Sequence, residues 1–324
     1  MDYAHAALRA EALRQEIWQH RYRYYVLAQP TLEDAEYDAL EHELLEIERR
    51  FPDLATDDSP TRRVGHAVTG EMPAVAHRVP MLSLENAYSI EELREWNARL
   101  VRAADLPSDA ALAYSCEHKI DGVSVSVIYE NGVLVRAVSR GDGRVGEDIT
   151  ASLRTIRSIP LRLNPPFVAL EARGEVYFPT RDFREFNDER EEEGLTPFAN
   201  PRNAAAGTLR IQDPAVVAKR PLDVFFWQLL GTAGREPDSQ AEGLRLLREA
   251  GLRTNPHGAA VAGLEAVIAY IEQWSTQKRE LEYEVDGIVV KADDRVVRDR
   301  AGATSKARAG PSPSSTRRSA RRLS

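Results

Sequence analysis

The sequence predicts an α+β fold: a small helical unit, then a larger domain of antiparallel sheets with flanking helices. Three observations carry this prediction. Two amphipathic segments, over 2–28 and about 31–50, open the chain and stop at Phe51-Pro52. Val123-Ser124-Val125-Ser126-Val127 alternates with period two and runs toward Asn131-Gly132, the strongest two-residue hairpin signal. Beyond it, strand-like and helix-like runs follow one another to about residue 300 with no internal repeat.

Thr31, with Asp34 three residues on, is placed to N-cap the second helix in a capping-box-like arrangement. Pro52, Pro60, Pro73 and Pro80 make residues 52–88 an extended connector. Ser89 and Glu92 form a second capping-box pattern, which predicts a helix to about Ala104. Ala111-Leu112-Ala113-Tyr114 is the apolar approach to Ser115-Cys116-Glu117-His118-Lys119-Ile120-Asp121-Gly122 and the hairpin behind it. Gly141, Gly143 and Gly146 then make a loop that permits positive φ and close backbone approach. Alone, such a loop is a weak sign of phosphate binding.

A strand over 167–171 leads to Glu175, and Thr180 is placed to cap a helix carrying Phe183 and Phe186. Glu189, Glu191, Glu192 and Glu193 are its solvated face. Residues 200–209 are too rich in small side chains for core packing alone. They predict an ordered loop near a site, with Arg202 and Arg210 as phosphate contacts. Val224-Phe225-Phe226-Trp227-Gln228-Leu229 is a buried strand, and a helix over 240–250 is stopped by Gly251. Leu264, Val267, Ile268, Ile271 and Trp274 keep helical spacing and read as core, and 282–291 returns to strand, delivering Asp286 and Lys291.

A hydrophobic fraction of 43% supports a sizeable core. No apolar run approaches the roughly 18 residues of a membrane helix. The single cysteine, Cys116, excludes a disulfide framework within the chain and reads as a strand residue. These features predict a cytoplasmic protein. Net charge is −8, yet Arg300 onward holds seven basic residues and no acid, so the body is more acidic still. Bulk charge therefore gives no support for binding nucleic acid.

If the strand continues, Glu117, Lys119 and Asp121 emerge on one face, a lysine between two carboxylates just before a glycine. Ser139-Arg140-Gly141-Asp142-Gly143, Glu171-Ala172-Arg173-Gly174-Glu175-Val176 and Glu284-Val285-Asp286-Gly287-Ile288-Val289-Val290-Lys291 follow it in an order that resembles the covalent nucleotidyltransferases. Asp34-Ala35-Glu36-Tyr37-Asp38 and Phe198-Ala199-Asn200-Pro201-Arg202-Asn203-Ala204-Ala205-Ala206-Gly207-Thr208-Leu209 narrow the match. Over residues 1–307 the chain resembles the N-terminal adenylation region of bacterial NAD-dependent DNA ligases.

That resemblance implies residues 1–55 as a helical unit recognising nicotinamide mononucleotide and NAD. It implies 56–88 as a connector with part of the adenosine site and 89–307 as the nucleotidyltransferase domain. Lys119 would attack the α-phosphorus of NAD, forming lysyl-AMP and expelling nicotinamide mononucleotide. Tyr24, Tyr25, Asp34, Tyr37 and Asp38 would form an acidic, aromatic face for the cationic nicotinamide ring. Ser83 and Leu84 would touch the adenosine half, Glu117 the adenine, Arg140 the ribose, Glu175 the ribose or a metal, and Lys291 the phosphate oxygens. Mg²⁺, or Mn²⁺ in its place, would offset the pyrophosphate charge.

The implied process is the joining of nicked duplex DNA in replication and repair. This chain alone, a monomer with no membrane partner, is expected to bind DNA weakly or not at all and not to seal nicks. Two alternatives stand beside this reading: a non-catalytic NAD- or AMP-binding remnant, and an ATP-dependent nucleotidyltransferase of the same superfamily.

Residues 308–324, rich in Ser, Pro and Arg, are expected to be a disordered basic tail. They are also expected to be a frameshift product. With suitable codons, one restored nucleotide after Ala307 re-reads the tail as Pro-Gly-Trp-Ala-Ile-Ala-Phe-Lys-Tyr-Pro-Ala-Glu, the strand with which the family continues. Its lysine, which contacts the α-phosphate in the family, falls where Ser315 stands. Without that cation, self-adenylation is expected to be slow or absent, since one such charge is worth on the order of 10²–10³ in rate.

Overall fold

The computed structural model describes residues 2–64, 72–81, 84–233 and 235–309, apart from the side chain of Asp34. Two helices, α1 (Tyr3–Arg21) and α2 (Asp34–Arg50), pack through Ala6, Ala10, Leu13, Ile17, Leu44 and Ile47, a core of their own. α1 runs into a π turn, Tyr22–Val26, an irregularity common at functional positions. The cap of α2 differs from the prediction. Glu33 and Glu36 form the capping box, while the Thr31 hydroxyl accepts from Arg23 Nη1 at 3.2 Å. The carboxylate pair two residues later outcompeted Thr31 for the free helix donors.

The connector carries short strands β1 (Ala74–Ala76) and β2 (Glu85–Ala87) and leads to α3 (Ile90–Ala103). Here the expected box forms: Ser89 Oγ accepts from the Glu92 amide, and the Glu92 carboxylate accepts from the Tyr88 amide. Arg63 fastens the connector to the larger domain, donating to the carbonyls of Arg154 (3.1 Å), Ile156 (2.9 Å) and Ile159 (2.9 Å).

β3 (Ala113–Ile120) is followed by β4 (Val123–Glu130) and β5 (Val133–Ser139). The β4–β5 turn has Asn131 at φ +51° and Gly132 at φ +76°, as the Asn-Gly pair required. β6 (Val145–Glu147) pairs with β1. After α4 (Thr150–Thr155) come β7 (Leu170–Tyr177), α5 (Thr180–Glu192) and α6 (Pro201–Leu209). Two expectations fail here. Thr180 is the first helical residue, with Pro179 at the cap and no side-chain cap bond. Residues 201–209 form a helix, not a loop. The Asn200 side chain caps it, Pro201 starts it, and its alanines pack into the core at Ala204 and Ala205.

Then follow α7 (Pro214–Val217), β8 (Asp223–Thr232), α8 (Gln240–Glu249), β9 (Ala259–Ala262), α9 (Leu264–Gln277), β10 (Val285–Ala292), α10 (Arg295–Ala301) and β11 (Lys306–Ala309). Gly251, at φ +96°, ends α8 as expected. β11 extends two residues past the expected tail boundary at Ala307. Arg308 pairs with Val289 and Asn86, and Ala309 with Ile288 and Ala87. Residues 310–324, including Ser315, lie outside the described residues.

Three sheets result among the described residues: the two-stranded β1-β6 pair, a five-stranded sheet β2-β11-β10-β3-β9 and a four-stranded sheet β5-β4-β7-β8. β3 and β4 are consecutive yet belong to different sheets, so Asp121-Gly122 is the crossover between them. Alternation sorts β3: Tyr114 and Cys116 enter the core with Trp96 and Val290, leaving Ser115, Glu117 and Lys119 on the opposite face. Cys116 is fully buried, and burial pushes its thiol up to about 12, which fits a packing role. No helix is long and apolar enough to cross a membrane among the described residues.

Candidate active site

A cavity of about 280 Å³ is lined from the five-stranded and four-stranded sheets. β3 contributes Glu117 and Lys119, β10 Asp286 and Lys291, and β11 Lys306 and Arg308. From the four-stranded side come Ser124, Arg173, Glu175, Phe225 and Trp227, with Arg140 just beyond β5. The structure thus brings together Leu84, Glu117, Lys119, Arg140, Glu175 and Lys291 from the sequence-predicted set. Ser83 lies outside the described residues.

Lys119 Nζ donates to Asp286 Oδ2 at 2.9 Å. A β-bulge between Val285 and Ile288 aims that carboxylate, with Gly287 at φ +115°. Asp121 lies past the end of β3 rather than on its face, and Arg202 Nη1 donates to its carboxylate at 3.2 Å. Arg210 is exposed and outside the cavity.

Lys291 is buried and held by Glu117, with 2.8 Å to Oε1 and 2.9 Å to Oε2, and it donates to the Trp227 carbonyl at 3.1 Å. Burial pushes its amine below the ordinary lysine value, with Glu117 opposing. Glu117 also accepts from Ser115 Oγ (3.0 Å) and Gln240 Nε2 (2.9 Å). As it stands, Lys291 serves Glu117, and a phosphate contact requires it to share that carboxylate.

Glu175 accepts from Ser124 Oγ at 2.8 Å, and burial pushes its carboxyl up to about 7. Its folded value lies above the ordinary 4.5, so the folded chain holds a proton that the unfolded chain has released. Stability is therefore expected to fall as pH rises from about 4.5 to about 7, by roughly 2–3 kcal/mol. Urea titrations across that window should show the decline, and Glu175→Gln should flatten it.

Sequence reasoning left Arg173, Trp227, Lys306 and Arg308 out of the site. The Trp227 ring lies 5.1 Å from Lys291 Nζ. Its parity with Phe225 was the available signal, but a continuous apolar run conceals which side faces a cavity. Lys306, across from Lys291 in the β10–β11 ladder, is pushed down to about 8 by burial and then by Lys291, Arg173 and Arg140.

A second cavity, of about 300 Å³, belongs mainly to the helical unit. Tyr24, Tyr25, Tyr37 and Asp38 line it with His20, Arg21 and Arg157. The π turn sets Tyr24 against Tyr25, ring centroids 4.8 Å apart. Tyr37 is fixed by donating to Glu41 at 2.7 Å and accepting from Arg21 Nε at 2.5 Å. The side chain of Asp34 lies outside the description. The two cavities share no lining residue.

Residues 69–309 match the family model of the NAD-dependent DNA ligase adenylation domain, and residues 3–65 that of the DNA ligase-like N-terminal NAD+-binding domain. The chain is 50% identical over 306 residues to a DNA ligase of Rubrobacter xylanophilus, covering 94% of this chain and 44% of that protein. It is 49% identical over 297 residues to a DNA ligase of Thermotoga maritima, covering 92% and 43%. The chain therefore spans a little under half the length of these curated relatives.

Proposed function

Because this chain belongs to the NAD-dependent DNA ligase family, we propose that it carries out that family's first step, transfer of AMP from NAD to Lys119. The observation that carries this reading is Lys119 in a cavity shared with Glu117, Arg140, Glu175 and Lys291, paired with one carboxylate. The amine attacks the α-phosphorus, an N–P bond forms, and the P–O bond to nicotinamide mononucleotide breaks. Asp286, 2.9 Å away, is placed to take the amine proton. Glu117 and Trp227 bound the adenine, Arg140 the ribose, and Lys291 the phosphate oxygens as charge develops.

The Tyr24, Tyr25, Tyr37 and Asp38 cavity takes the nicotinamide end. No cluster of three metal-binding side chains exists among the described residues. Mg²⁺ (or Mn²⁺) would be held by Glu175, a cavity carboxylate that accepts from Ser124 Oγ at 2.8 Å. The ion would offset phosphate charge. Nicked duplex DNA is the substrate on which the family acts; we read this chain as a cytoplasmic monomer with little affinity for DNA by itself.

Tyr24→Ala and Asp38→Ala test the division of labour between the cavities. Both side chains are exposed, so thermal midpoints should stay unchanged. AMP transfer from NAD should fall on the order of tenfold, the size of a lost cation–π or charge contact. ATP serves as the comparison donor. Unchanged use of NAD, or equal use of ATP by the parent chain, would refute the assignment.

A further inference from the structure

Asp286 is shared between two cations. Its Oδ2 accepts from Lys119 Nζ at 2.9 Å, and its Oδ1 from Arg308 Nη2 at 2.5 Å. Arg308 Nε also donates to the main-chain carbonyl of Asp286 at 2.7 Å. The guanidinium therefore grips both the side chain and the backbone of one residue, at the bulge that aims the carboxylate. Arg308 is 8% exposed, against about a quarter for the Lys119 side chain. Its place is fixed by the ladder, since β11 pairs with β10 on one side and β2 on the other.

We propose that Arg308 is a positioning residue for Lys119, acting through Asp286: it fixes the carboxylate and draws off part of its charge. This rests on Lys119 being the reactive amine, and it goes beyond the family reading, whose restored strand carries proline where Arg308 stands in this chain. A carboxylate facing Lys119 alone would bind its ammonium form as a full ion pair. With Arg308 on the other oxygen, the negative charge is divided, and the second cation repels the ammonium. Two unit charges about 6 Å apart at an intermediate effective dielectric interact by enough for a three- to tenfold effect, to order of magnitude. Other charges near the amine, Glu175, Asp121 and Arg202, come from different strands and helices and are unchanged by substitution at 308.

The test does not require NAD. Lys119 acetylation by dilute acetic anhydride is followed by mass spectrometry at one near-neutral pH, with exposed Lys278 as the internal standard. Relative to Lys278, Lys119 should be acetylated about three- to tenfold more slowly in Arg308→Met. Arg308→Lys keeps the charge and should label like the parent. Arg308→Gln keeps donors without charge and should label like Arg308→Met. Parent-like labelling in Arg308→Met or Arg308→Gln would overturn the proposal, as would failure of Arg308→Lys to restore it when circular dichroism matches the parent. Because labelling is independent of cofactor, a parent chain that never takes AMP would defeat the proposed function while leaving this result readable.

Discussion

Lys291→Met is expected to lower the unfolding free energy by about 3 kcal/mol, the lower end of what breaking a buried ion pair costs. Lys291 and Glu117 are 7% and 6% exposed, so removing the amine strands a carboxylate away from water. Ser115 and Gln240 still donate to that carboxylate, which keeps the loss from being larger. The companion Lys291→Met/Glu117→Gln chain should recover most of the stability, because no charge is then left unpaired. Urea unfolding of the three chains measures this. A single variant as stable as the parent would show that the pair contributes nothing to holding β3 against β10.

The second large effect belongs to Gly122. A Cβ there would stand 2.3 Å from the Val176 carbonyl and 3.0 Å from Glu175 Cγ, and backbone cannot yield as a side chain can. Gly122→Ala must therefore push the crossover away from β7. Lys119 lies three residues before it and Glu175 on the strand it displaces, so the two halves of the site separate. A shift near 1 Å at a reacting group costs on the order of 10² in rate. AMP transfer should fall by about that much, with a stability loss of about 1–3 kcal/mol. Rapid-quench measurement of the adduct checks it, and an unchanged rate would show that the crossover does not position the lysine.

Much of this site was legible because strand parity and glycine chemistry are local. Glu117 and Lys119 share a face by alternation alone, and Asn131-Gly132 and Gly251 fell where positive φ was needed. Thr31 and Thr180 misled because several neighbours compete for one helix cap, and only the folded geometry decides among them. Residues 201–209 misled differently: small side chains suit a loop, but here they let α6 approach the sheet closely. That β3 and β4 part into different sheets, and that β11 returns Arg308 to Asp286, depends on contacts across more than twenty residues. No window of sequence holds that information.

Lys119 is expected to take AMP from NAD. The purified chain, incubated with NAD and magnesium and digested, should yield a Lys119 peptide heavier by one AMP, accumulating slowly. Lys119→Ala should show no adduct, and free nicotinamide mononucleotide should appear in step with the parent's modification. An adduct that persists in Lys119→Ala, or a parent chain that binds NAD and never gains AMP, would contradict the account.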